Sequence, residues 1–404
     1  MSTEQLSISI ADTTAAEEDR FHRFKLIGWW DQAKLARAKV LVIGAGALGN
    51  EIIKNLVLLG VGNILIADKD TIENSNLSRS VLYRKEDNGK YKAKVAAAAA
   101  QEIYPDLHVH SFVGDIINDL GLGVYRWADV IIGGLDNREA RLSINRNAWK
   151  VNKPWIDGAI EQIDGVARVF VPDGPCYECT MSKRDWDLIR HRRSCNLLTR
   201  AEMETGKTPT TPTVSSIIAG VQTQEAVKVL HNLPVISGKG WVFNGLTAEV
   251  YQTEYQRKAD CYSHDTLDEI ISLDATADTM TARELTKIIR QHLPAWDGTI
   301  ELAREVLHKL VCNKCKTEKL LFASPGTVKA GQETCPTCGG AREVVTFSKI
   351  RGEEDFLDKT LAQIGVPAFD ILIARSAERA VGFELGGDIQ HVLGPLVEGA
   401  LELL

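Results

Sequence analysis

Lys39-Val40-Leu41-Val42-Ile43 is an apolar, β-branched run that passes without a break into Gly44-Ala45-Gly46-Ala47-Leu48-Gly49, and helical spacing follows from Asn50 to Leu59. Few folds are open to a strand that turns through small residues straight into a helix. The turn leaves backbone N–H groups and a helix N-terminus uncovered, which suits a phosphate. A second apolar run, Asn63 to Ala67, ends in Asp68. That carboxylate comes about twenty residues after the glycines, where it can accept hydrogen bonds from ribose hydroxyls. The pattern predicts an α/β fold built on a mainly parallel sheet.

Such a glycine pattern serves a Rossmann-like dehydrogenase as well as any other nucleotide-binding protein. The residues that follow narrow the choice. Asn76 and Arg79 lie in Asp70-Thr71-Ile72-Glu73-Asn74-Ser75-Asn76-Leu77-Ser78-Arg79, Lys92 opens an alanine-rich helical stretch, and Asp136 follows the apolar strand from Asp129 to Gly134. Two cations, an amide and a carboxylate have no use in a dinucleotide site. An intact triphosphate needs them: cations offset charge building on its oxygens, and a carboxylate at a strand's C-terminal end can hold Mg²⁺. An NAD-dependent dehydrogenase would leave all four without roles and has no evident proton-transfer residue. A catalytically inactive scaffold would have no reason to keep the set complete.

On these motifs the sequence resembles the ubiquitin-activating, MoeB and ThiF adenylyltransferase family, over roughly Arg20 to His264. The resemblance implies that Gly44, Gly46 and Gly49 line ATP, that Asp68 holds its ribose, and that Asn76, Arg79 and Lys92 contact its phosphates while Asp136 binds magnesium. It also implies a homodimer in which Arg23, within Arg20-Phe21-His22-Arg23, reaches the partner's ATP. The second half of the domain, including the alternating run Gly165 to Val171, would become an antiparallel extension of the sheet and a floor for the C-terminal tail of a carrier protein. One departure is visible: Ser80 follows Arg79 where the family usually has Gln. The compact single adenylation domain suggests a bacterial activating enzyme.

Length and composition set the frame. A chain of 404 residues with 44% hydrophobic content has room for two or three domains, about the usual ratio. Three segments are expected: a polar tail over 1–18, an adenylation domain over 19–270 and a C-terminal domain over 271–404. A net charge of −7 argues against general nucleic-acid binding, which needs a basic surface. No apolar run approaches the roughly 18 residues of a membrane span, and no basic stretch followed by an apolar one opens the chain. A cytoplasmic protein is expected.

Eight cysteines without a secretory signal read as metal ligands or a nucleophile rather than disulfides. Cys176-Tyr177-Glu178-Cys179 has the spacing with which two thiolates grip one tetrahedral Zn²⁺, and Cys261-Tyr262-Ser263-His264 supplies a second pair, giving a Cys₃His set. Cys312, Cys315, Cys335 and Cys338 form two further knuckles, a zinc ribbon, so two structural zinc sites are expected. This leaves Cys195 without a metal partner, behind Arg190-His191-Arg192-Arg193-Ser194. Adjacent cations favour its thiolate, the form that attacks an activated carbonyl. The resemblance agrees, since activating enzymes carry a thioester cysteine just before a helix like that expected from Thr213.

The reading is ATP-dependent adenylation of the C-terminal glycine of a ubiquitin-like protein, then thioester formation on Cys195. The alternative is a sulfur-carrier adenylyltransferase of the thiamin or molybdopterin type, which shares every adenylation residue. From Leu267 onward no family pattern is seen. Thr281 to Leu293, Glu301 to Val311 and Glu354 to Ile364 read as helices, and Phe369 to Ala374 and Ala380 to Glu384 as strands, in an α+β unit that would dock the carrier, a conjugating enzyme or a second subunit.

Overall fold

The computed structural model describes residues 19–187, 209–324 and 332–397. Its first sheet is built from β1 (Lys39–Ile43), β2 (Asn63–Ala67), β3 (His108–Phe112), β4 (Val130–Gly133), β5 (Trp155–Glu161), β6 (Asp164–Phe170), β7 (Lys239–Asn244) and β8 (Glu249–Glu254). They lie in the order β3-β2-β1-β4-β5-β6-β7-β8. The strands from β3 to β5 are parallel, and β6 to β8 add on antiparallel. The chain winds outward from β1 in one direction and, after β3, resumes on its other side at β4. That reversal opens a crevice at the C-terminal ends of β1 and β4, the place where open α/β sheets take ligands.

Alternation along each strand feeds two cores. Val40, Val42, Ile64 and Ile66 face the helices α2 (Ala47–Leu58), α3 (Lys92–Ile103) and a long helix Pro212–Leu230, and all four strand residues are fully buried. The opposite set, Leu41, Ile43, Leu65 and Ala67, packs beneath α4 (Leu122–Trp127), α5 (Arg138–Lys150) and residues far down the chain: Phe369, Ile371, Ile373, Leu393 and Leu396. A period of two thus divides each strand between its two faces. Ahead of β1, the short α1 (Gln32–Arg37) starts just after Trp29 and Trp30. Asp31 caps it by accepting a hydrogen bond from Lys34 N, and Trp30 leans on Phe24 at 4.9 Å.

A second sheet has the order β11-β10-β13-β14-β9, with β12 on the other side of β10. Its strands are β9 (Glu269–Leu273), β10 (Ile300–Cys312), β11 (Glu318–Ala323), β12 (Arg342–Ile350), β13 (Ile371–Arg375) and β14 (Ala380–Leu385). The helix expected from Thr281 forms over Ala282–His292, with Thr281 and Glu284 in a capping box.

Two other expected helices do not form. Glu301 to Val311 lies within β10, where register shifts between Glu301 and Val306 and between Leu307 and Lys309 interrupt the alternation. The buried series Leu302, Val306, Leu307, Leu310 therefore imitates the three- and four-residue spacing of a helix. Glu354 to Ile364 is mostly turn, with one short 3₁₀ turn at Ala362–Ile364. Thr360 bridges to Thr281, and Phe356, Leu357, Leu361 and Ile364 plug the second sheet's core.

Candidate nucleotide site and cysteine clusters

The loop after β1 is closed by contacts that only glycine allows. Gly44 has φ +93°, and a Cβ there would sit 2.7 Å from Gly134 O; at Gly49 it would sit 1.9 Å from Gly44 O. Gly134 in turn lies against Gly49 N, where a Cβ would come to 2.9 Å. The β1 loop, the first turn of α2 and the β4 loop thus meet backbone to backbone. Gly46 differs, since a Cβ there would meet nothing within 4 Å. It is the N-cap of α2 and makes no side-chain cap bond, so the positive end of that helix faces open space.

Asp68, at the end of β2, accepts from Ala45 N at 2.7 Å and Asp70 N at 2.8 Å. Burial pushes its carboxyl above the ordinary range, against the pull of Lys92. Lys92 begins α3, its amide donates to Asp70 O at 2.9 Å, and its mostly buried ammonium lies 3.0 Å from an Asp70 carboxylate oxygen. Asn76 is buried in a 3₁₀ turn, where its side-chain oxygen accepts from Glu73 N at 3.0 Å. Arg79 is half-buried and donates to Ser75 O at 2.8 Å. Asp136 is exposed, two residues beyond Gly134. Asn137 beside it caps α5 by accepting from the amides of Glu139 and Ala140.

Arg23 is not brought to the glycine loop of its own chain. It sits exposed in a 3₁₀ turn, His22–Leu26, next to Phe21, whose ring fills the space above Gly60 at the C-terminal end of α2. The glycine loop is at the other end of that 12-residue helix, about 18 Å away at 1.5 Å per residue. Cys195 and the basic run before it lie outside the described residues.

Three site residues escaped the sequence reading. Arg141 donates to Asp157 at 2.8 Å, to Gly158 O at 2.9 Å and to Leu135 O, so a buried guanidinium holds the loop that carries Asp136. The spacing Asp136-Asn137-x-x-x-Arg141, one helical turn from cap to anchor, was its signal. The others, Asn50 and Tyr83, had none.

The first cysteine cluster assembles as expected. Cys176, Cys179, Cys261 and His264 bring their ligand atoms within 4.8 Å of one another, with separations of 3.7 Å (Cys176–Cys179), 3.5 Å (Cys176–Cys261) and 3.4 Å (Cys179–His264). Tetrahedral zinc with bonds of about 2.3 Å to sulfur and about 2.0 Å to nitrogen requires roughly 3.5–3.8 Å between ligands, so the donors fit that ion. Trp149 stacks on His264 at 4.4 Å, and the buried Glu178 accepts from Ser263 at 2.5 Å and Arg146 at 3.1 Å, bracing both ligand turns. Burial pushes the Cys176 and Cys261 thiols up, which disfavours several bare thiolates without a cation. Cys312, Cys315, Cys335 and Cys338 converge likewise, with 3.5 Å between Cys312 and Cys338 and 3.7 Å between Cys315 and Cys335. A Cβ at Gly340 would come 3.2 Å from Cys312 Sγ, so a glycine there leaves the ligands room. Among the described residues no helix is long and apolar enough to cross a membrane.

Comparison with known proteins places this geometry. Residues 19–263 match the model of the ThiF family. Over 179 residues the chain is 37% identical to a sulfur carrier protein adenylyltransferase of Thermus thermophilus, covering 42% of this chain and 66% of that protein. Over 168 residues it is 34% identical to the SAMP-activating enzyme E1 of Haloferax volcanii, covering 41% and 62%. The chain thus spans less than two thirds of either relative's length. A crystal structure of E. coli MccB with ATP has a TM-score of 0.51 and 24% identity, covering 61% of this chain and 75% of that one, and is a likeness of fold.

Proposed function

The chain belongs to the ThiF family, and from that premise we propose that it uses ATP to adenylate the C-terminal glycine of a ubiquitin-like protein and then takes the acyl group onto Cys195. The observation that carries this reading is the convergence of the glycine loop, Asp68, Lys92 and the backbone of the β4 loop at one end of the sheet. ATP would lie there with its ribose on Asp68 and its phosphates toward the N-terminus of α2, Asn76, Arg79 and Lys92. The exposed carboxylate of Asp136 fits magnesium, a cation that prefers oxygen ligands, which when bound would neutralise phosphate charge.

A carboxylate oxygen of the carrier's terminal glycine bonds to the α-phosphorus as the bond to the pyrophosphate oxygen breaks, leaving an acyl adenylate. That nucleophile is already ionised at neutral pH, so the work of the site is positioning and charge neutralisation. The Cys195 thiolate then attacks the acyl carbonyl and AMP leaves. The place of Arg23, at the far end of α2 from its own glycine loop, supports a homodimer in which it acts on the partner's ATP. The two cysteine clusters are read as structural zinc sites. A cytoplasmic location and docking of a downstream conjugating enzyme on the C-terminal unit belong to the same proposal.

The relative from Thermus thermophilus favours a second reading, adenylation of a sulfur carrier. Both predict ATP–pyrophosphate exchange with a carrier ending in Gly-Gly, and absence of exchange rejects both. They part at Cys195. Under the first reading, wild type forms a thiol-sensitive conjugate whose mass is the sum of the two proteins less one water, and Cys195→Ala keeps exchange but forms none. An additional sulfur in the conjugate marks an acyl disulfide and the second reading. A conjugate that persists in Cys195→Ala removes Cys195 from the reaction.

A further inference from the structure

The peptide between Ala45 and Gly46 is gripped from inside the protein. Ala45 O accepts from Tyr83 Oη at 2.6 Å and from Asn50 Nδ2 at 2.8 Å, and Asn50 Nδ2 also lies 3.0 Å from Gly46 O. Both side chains are buried, Asn50 completely. Asn50 Oδ1 accepts from Leu82 N at 2.9 Å, and Tyr83 Oη reaches Lys92 O at 3.3 Å. Burial pushes the Tyr83 phenol up, so it keeps its proton and remains a donor near neutral pH.

A trans peptide holds its C=O and N–H in opposite directions. With Ala45 O drawn inward by two donors, Gly46 N–H is turned the opposite way, and a Cβ on Gly46 would meet nothing within 4 Å. That N–H has no partner among the described residues. Glycines flank Ala45 on both sides and would let this peptide rotate at little cost, so something must hold it.

We propose that Asn50 and Tyr83 are positioning residues: they lock the Ala45–Gly46 peptide so that Gly46 N–H is aimed at the phosphates of ATP, and they tie this lock to the loop after Arg79 and to the start of α3 at Lys92. The inference rests on the nucleotide reading above and assigns its two buried polar neighbours a task. Neither residue touches the nucleotide.

The test is binding of magnesium-ATP to the full chain by titration calorimetry, with adenosine measured by displacement of ATP. Tyr83→Phe removes one hydroxyl and leaves Ala45 O still bonded to Asn50. ATP affinity should fall about fivefold, the size of one lost hydrogen bond, with adenosine affinity unchanged because adenosine has no phosphate, and with the melting temperature lower by no more than a few degrees. Asn50→Ala should give a larger selective loss, but it empties a buried polar position and can fail to fold, so Tyr83→Phe carries the decision. Unchanged ATP affinity in Tyr83→Phe, or equal losses for ATP and adenosine, overturns the positioning role while the nucleotide site stands. Wild type that fails to bind ATP overturns both.

Discussion

In the proposed reaction Lys92 would concentrate the chemistry of the site on one side chain. Its ammonium is mostly buried, pairs with Asp70 and acts electrostatically on Asp68, which on the proposed reading would set a cation beside the triphosphate. Lys92→Ala should lower ATP–pyrophosphate exchange by about 10²–10³, the usual loss when a preorganised charge is removed from a transition state. The melting temperature should stay within a few degrees, because little apolar volume is lost; exchange close to wild type would remove Lys92 from the site. Gly44, Gly49, Asp68 and Lys92 were legible in the sequence because each lies beside the strand or helix end that presents it. Asn50 and Tyr83 were not, since a buried hydrogen bond between residues 32 and 38 positions apart leaves no periodic trace.

At the level of elements, the cysteine knuckles were legible because two thiols three apart on one turn are close whatever surrounds them. Pairing Cys176 and Cys179 with Cys261 and His264 across 85 residues went further, and the observed separations agree with a shared ion. Purified protein should contain about two zinc ions per chain, one per tetrahedral set. Cys261→Ser should lower elemental analysis to about one, and two retained ions would separate that cluster from zinc. β10 shows where legibility stopped: its irregular register put Leu302, Val306, Leu307 and Leu310 in helical spacing, and only pairing with β11, β12 and β13 decides for strand.

For the whole molecule, the two sheets share a core. Asp370 accepts from Leu122 N at 2.7 Å, capping α4, and pairs at 2.9 Å with Arg304, which also donates to Asn118 O and Leu120 O. Gly121 and Gly123 allow this approach: a Cβ on either would come 2.5 Å from Phe369 O. A division at residue 270, which we propose as the boundary between units, would cut β9, so the sheets part just before Glu269 and the cores do not part at all. Asp370→Ala strands a buried arginine and should cost about 3–5 kcal/mol, with near- and far-ultraviolet dichroism reporting one urea transition at lower midpoint. Separate transitions, or an unchanged midpoint, would mean that the units are energetically independent. No local pattern reveals such a junction, since Phe369 and Ile371 read as ordinary strand residues whichever sheet they cover.

The shared core also sets a schedule for synthesis. Leu41, Ile43 and Leu65 lie in strands made early, yet part of their cover comes from β13, which starts 210 residues after the end of β5. At about 5–20 residues per second, the ribosome needs roughly 10–40 s to cross that interval. During it one face of the nascent sheet has α4 and α5 to close against but lacks the rest of its cover. A chaperone that occupies the uncovered part of this face during translation would leave when β13 arrives, and a ribosome stalled before residue 369 would hold a chain with that part still open.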